Sequence, residues 1–105
     1  MFIILLTYLK PLTEVDAYVA AHRDYLTQGY EQGLLLASGP RLPRTGGVLL
    51  SASDDFSSLK NFFTKDPFML NGIAQYEYIQ FNPVKATPLF YAALNTKIDS
   101  IMKLS

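Results

Sequence analysis

Cysteine is absent from the 105 residues, so disulfides, thiolate nucleophiles and thiolate metal sites are excluded at the outset. Histidine is nearly absent too: His22 stands alone, which argues against a zinc site built from side chains. No metal and no organic cofactor is expected. An excess of charge of either sign is also missing, because nine Lys and Arg balance nine Asp and Glu. No basic run forms a face, so neither a nucleic-acid backbone nor an anionic membrane meets an electrostatic footprint. Long hydrophobic runs are lacking as well, and no stretch approaches the roughly 20 apolar residues that span a bilayer. The apolar opening from Met1 to Tyr8 has no basic flank before it and no small-residue cleavage pattern after it, so it reads as a strand rather than a secretory signal. These absences lead to the expectation of a soluble, cytoplasmic protein. A Gly-rich phosphate loop, a nucleophile elbow and a carboxylate cluster of metal-ligand spacing are missing too, which weakens nucleotide-binding and hydrolase readings.

What remains is a chain in which half the residues are hydrophobic, sized for one compact core. Phe2 to Tyr8 is β-branched and aromatic and stops at Lys10-Pro11. Thr13 stands three residues before Asp16 as an approximate capping box. Val15, Tyr18, Val19, His22, Tyr25, Leu26 and Gly29 then share one helical stripe that Gly33 ends, a helix of about five turns. Leu34–Ser38 and Gly47–Ala52 read as two strands around a segment, 39–46, of turn composition. Asp54 or Asp55 can cap a second helix carrying Phe56, Leu59, Phe62 and Phe63, and Asp66-Pro67 breaks it. A short turn to Gly72 and a fourth strand, Ala74–Phe81, follow. The order predicts an α+β, ferredoxin-like βαββαβ fold with both helices on one face of a four-stranded antiparallel sheet. Phe90, Leu94, Ile98 and Ile101 recur at helical spacing, so residues 86–105 are expected to add a C-terminal helix to a domain spanning 1–85.

A sheet with helices on one face and water on the other should alternate apolar and polar residues. Ile3-Ile4-Leu5-Leu6, Leu34-Leu35-Leu36 and Val48-Leu49-Leu50 do not alternate, so both faces are apolar and the outer one needs cover. A second copy of the chain supplies it in the favoured reading; the C-terminal helix folding back is the other.

His22 has the one side chain whose unperturbed titration lies near neutrality, the natural acid or base, yet its place on the apolar stripe equally suits a satisfied, half-buried histidine. Asp66 before Pro67 can cap the next turn, or can fix the tautomer of an imidazole. Ser38, Gly39 and Pro40 close a strand where backbone N–H groups could meet an anion or carbonyl oxygen, with Arg41 and Arg44 nearby; solvated arginines on an ordinary turn are the bland alternative.

Three segments together, His22-Arg23-Asp24-Tyr25-Leu26, Leu36-Ala37-Ser38-Gly39-Pro40 and Lys65-Asp66-Pro67-Phe68, resemble the YciI-related (YCII) family in residues, order and spacing. The resemblance covers residues 1–85 and implies a dimeric α/β barrel of two ferredoxin-like protomers. It also implies that His22 and Asp66 meet at a pocket rimmed by Ser38 and the adjoining turn, Gly39-Pro40; Tyr25 and Arg41 are added here as further candidate ligand contacts. An activity associated with the family is elimination of chloride from a chlorinated hydroxyquinol-type ring. The implied function is a cofactor-free lyase or isomerase moving a proton on a small aromatic or carbonyl compound. The alternative is a non-catalytic module that binds a small molecule in the same pocket.

Overall fold

A computed structural model describes residues 1–94. Strand β1 (Phe2–Tyr8) is followed by helices α1 (Leu12–Asp16) and α2 (Val19–Glu31), and then by the hairpin β2 (Leu35–Pro40) and β3 (Gly46–Ser51). Helices α3 (Phe56–Phe63) and α4 (Pro67–Leu70) lead to β4 (Ala74–Gln80). All pairings are antiparallel, in the spatial order β2-β3-β1-β4, which is the ferredoxin-like arrangement expected. Residues 88–94 are helical; Ile98 and Ile101, on which the longer C-terminal helix was predicted, lie outside the described residues.

The pleat decides which side chains enter the core. Phe2, Ile4 and Leu6 of β1 are buried against Val15, Leu26, Leu59 and Phe63, while Ile3 and Leu5 point to the other face. Pairing carries that division across the sheet: Ile4 faces Leu49, whereas Ile3 and Leu5 face Leu50 and Val48 on one side and Ile79 and Glu77 on the other. The outer face is therefore an apolar patch of Ile3, Leu5, Val48, Leu50 and Ile79 bordered by Thr7, Gln75 and Glu77.

Three local expectations change. The first helix is two, because Ala17 and Tyr18 close α1 with bonds to Glu14 (3.2 Å) and Val15 (3.0 Å), three residues back, and Tyr18 at φ −114° tips the chain into α2. Thr13 forms no capping box; Pro11, which lacks an N–H, occupies the N-cap of α1. The hairpin is tighter than its composition suggests, since Gly39 and Pro40 belong to β2 and pair with Val48 and Gly47. An edge strand tolerates proline because one side of its ladder is unpaired. Gly46 makes the β1–β3 pairing possible: a Cβ there would sit 1.8 Å from the Leu6 carbonyl oxygen. Gly29 likewise seats α2 on β2 and α3, where a Cβ would meet Leu35 at 2.8 Å and Phe62 at 2.9 Å.

The connection from α3 to β4 follows the sequence closely. Asp55 caps α3 by accepting from the Ser58 N–H (3.2 Å) and Ser58 Oγ (2.7 Å), and Leu59, Phe62 and Phe63 are buried. Each such side chain contributes about 1.5–3 kcal/mol through removal from water. Pro67 opens α4 at its first turn, where a missing N–H does no harm, and Gly72 at φ +63° reverses the chain into β4.

Candidate functional site

The stripe of α2 that covers the sheet brings His22 over α4. Nδ1 of His22 lies 2.8 Å and 2.9 Å from the two carboxylate oxygens of Asp66. The Asp66 side chain is fully buried, and an isolated buried carboxylate would be costly. Three donors offset that cost. The Phe68 N–H donates to Oδ1 at 3.0 Å, so Asp66 is also the N-cap of α4; the Tyr76 hydroxyl donates to Oδ2; and His22 supplies the third. Both sequence readings of Asp66, cap and imidazole partner, hold at once. Phe68 stacks on the imidazole with ring centres 4.0 Å apart and planes 7° from parallel, which fixes the ring plane.

A carboxylate only accepts, so the proton between the two residues belongs to Nδ1. Nε2 makes no hydrogen bond among the described residues, yet no buried side-chain nitrogen or oxygen there lacks a partner, so Nε2 is reachable from outside. His22 borders a cavity of about 220 Å³ formed by α2, α4 and the strands β1, β2 and β3. Its walls include Tyr8, Val19, Leu26 and Phe68, with Ser38, Gly39 and Pro40 at the β2 side. Ser38 shares a 2.5 Å hydrogen bond with the Tyr30 hydroxyl.

Two expected ligand contacts stand elsewhere. Tyr25 occupies the opposite edge of the α2 stripe, where its hydroxyl donates to the Phe62 carbonyl at 2.5 Å and its ring stacks on Phe62. Arg41 is exposed outside the cavity, because the alternation that sends Ser38 and Pro40 to the helical side sends Arg41 away. In its place the cavity takes Arg44 and Arg23. Tyr76 was missed altogether. Its signal was available: opposite Leu6 in the register, it had to face the core, and a buried hydroxyl requires a partner.

The carboxylate also acts on neighbouring phenols. Burial first, and Asp66 second, raise the Tyr76 hydroxyl far above the ordinary tyrosine range, push Tyr78 up to about 12 and raise Tyr25. Folding therefore favours the neutral phenols. Their contribution to stability is fully present below the unfolded value of about 10 and is lost as pH climbs through the folded values, for Tyr78 between about 10 and 12. In an alkaline titration followed by phenolate absorbance, Tyr76 is expected to ionise only as the protein unfolds, well after the exposed tyrosines. Early, independent ionisation of every tyrosine would contradict the geometry.

A YCII-related domain model matches residues 1–82. The chain belongs to the YCII-related family. Among solved structures, the 5-chloro-2-hydroxyhydroquinone dehydrochlorinase TftG from Burkholderia phenoliruptrix, in complex with 2,5-dihydroxybenzoquinone, is similar to this YCII-related chain with a TM-score of 0.60. The two are 20% identical, over 78% of this chain and 94% of TftG, a likeness of fold. No curated protein matches the sequence significantly. Among the described residues, no helix is long and apolar enough to cross a membrane, and no group of three metal-ligating side chains converges.

Proposed function

We propose that this YCII-related protein is a lyase or isomerase that moves a proton on a small aromatic or carbonyl compound, with His22 as acid/base and Asp66 as its orienter. One observation carries the reading: a buried carboxylate holds Nδ1 of the lone histidine and leaves Nε2 free beside a ring-sized cavity. That arrangement keeps a lone pair on Nε2 for taking up a proton and stabilises the imidazolium that results. The reaction named for TftG, loss of HCl from a chlorinated hydroquinone, is of this class, since a base removes the proton and chloride departs with its bonding electrons. Chloride release from 5-chloro-2-hydroxyhydroquinone is accordingly the first turnover assay. A substrate-free test comes before it: nitrogen NMR of the lone histidine should show the neutral ring protonated on Nδ1. A neutral ring protonated on Nε2 would remove the general base and with it this reading.

The same proposal takes residues 1–85 as the catalytic unit, with 86–105 as an extension packed on the body or on a second copy. The outer sheet face is broad and apolar, and Ile79 there is 43% exposed, which supports a homodimer formed sheet to sheet. Sedimentation or light scattering should then give twice the chain mass, and Leu5→Lys, at the centre of that face, should return the monomer; a native protein already at single-chain mass would rule the assembly out.

A further inference from the structure

We infer that the cavity beside His22 selects a planar organic anion, a carboxylate or enolate on a ring-sized body, and that Arg23 and Arg44 recognise its charge. The inference rests on this cavity being the ligand site proposed above. The chain as a whole is neutral, yet the residues bordering the cavity are not: Arg23 and Arg44 are among them and no Asp or Glu is. Asp66 lies behind the imidazole, fully buried and already bonded to three donors.

The two arginines differ in a way that suits joint recognition. Arg44 is anchored, with Nη2 donating to Asp16, and Asp16 and then Tyr8 hold the guanidinium firmly protonated. These contacts to Asp16 and Tyr8 leave several of its five N–H donors for a ligand. Arg23, one residue after His22 on α2, has no ion pair or side-chain hydrogen bond among the described residues, so its charge is not cancelled locally. Asp16 thus balances one of two positive groups and the wall keeps a net positive charge.

An aromatic wall joins this charge to the base. The Arg44 guanidinium lies over the Tyr8 ring at 5.9 Å, Tyr8 meets Phe68 edge-on at 6.0 Å, and Phe68 stacks on His22 at 4.0 Å. A flat ligand laid along these rings would present its anionic group to the guanidiniums and its reacting edge to Nε2. An apolar cavity of about 150 Å³ accommodates benzene, so about 220 Å³ admits a ring with a charged substituent.

Benzoate and benzamide, nearly equal in shape and different in charge, test the idea by calorimetric titration of the full chain. Benzoate is expected to bind roughly tenfold to a hundredfold more tightly, the scale of a charge-assisted hydrogen bond, with the advantage shrinking in added salt. The double variant Arg23→Gln with Arg44→Gln should abolish the difference, whereas His22→Gln should retain it. Equal affinities, binding of neither ring, or a preference surviving the double variant would overturn the inference, as would its loss in His22→Gln alone, which would give the charge to the imidazole. The proton-transfer reading fails separately, on the His22 tautomer or on turnover, without altering this affinity ratio.

Discussion

Asp66→Ala is expected to lower folding stability by about 3–5 kcal/mol, a large part of the roughly 5–15 kcal/mol available to a domain. The carboxylate has no exposed surface, and its removal strands three donors at once: the Phe68 N–H, the Tyr76 hydroxyl and Nδ1 of His22. Each orphaned buried donor costs about 1–3 kcal/mol, and loss of the α4 cap adds to the deficit. Urea unfolding should show the midpoint falling with little change in slope. Asp66→Asn separates architecture from chemistry. The amide keeps the volume and can still accept from the Phe68 N–H, so stability should fall less. Its NH2 group, however, presents a donor to Nδ1, which drives the imidazole proton to Nε2 and takes the lone pair from the cavity. Equal stability of native protein and Asp66→Ala would mean that this buried network contributes nothing to the fold.

The second large effect is on turnover. His22→Gln should lower kcat for the proton-transfer substrate by about 10²- to 10⁴-fold, the usual contribution of a positioned acid or base. The glutamine amide can still donate to Asp66, so the variant is expected to remain folded, with a stability loss of about 1–2 kcal/mol from the weakened pair and the lost stacking on Phe68. The fall should appear in kcat more than in KM, because in the proposed reaction Nε2 would act on the moving proton rather than on the resting ligand. A folded variant with undiminished kcat would transfer the chemistry elsewhere.

Much of this arrangement was legible in the sequence where a local rule and the global fold agree. Asp66-Pro67 marks both a helix end and a new cap, and the structure uses it for both. The strand at Phe2–Tyr8 with apolar residues on both faces, a cap at Asp54 or Asp55, which the structure settles as Asp55, and the turn at Gly72 were readable for the same reason. Legibility ended where one residue decides an orientation. Tyr25 and His22 share a stripe in a helical projection, but the stripe is wide enough to face two neighbours, and Tyr25 meets α3 while His22 meets α4. Gly39-Pro40 carries turn composition, yet strand pairing extends through it; that extension moves the loop, turns Arg41 outward and leaves Arg44 at the cavity. Tyr76 was readable only as a core-facing tyrosine in need of a partner; that the partner is Asp66, ten residues earlier, follows from how α4 and β4 pack and not from a local pattern.

The double duty of Asp66 bears on how descendants of such a chain would drift. Functional groups often burden the scaffold that carries them, so a lineage released from selection for activity sheds them readily. Here the carboxylate that holds Nδ1 of His22 also bonds to α4 and β4, whereas exchange of His22 is expected to cost the fold little. On the proposed function, a relative that has abandoned the chemistry would keep its aspartate and lose its histidine, so that the histidine, rather than the pair, would mark a working member.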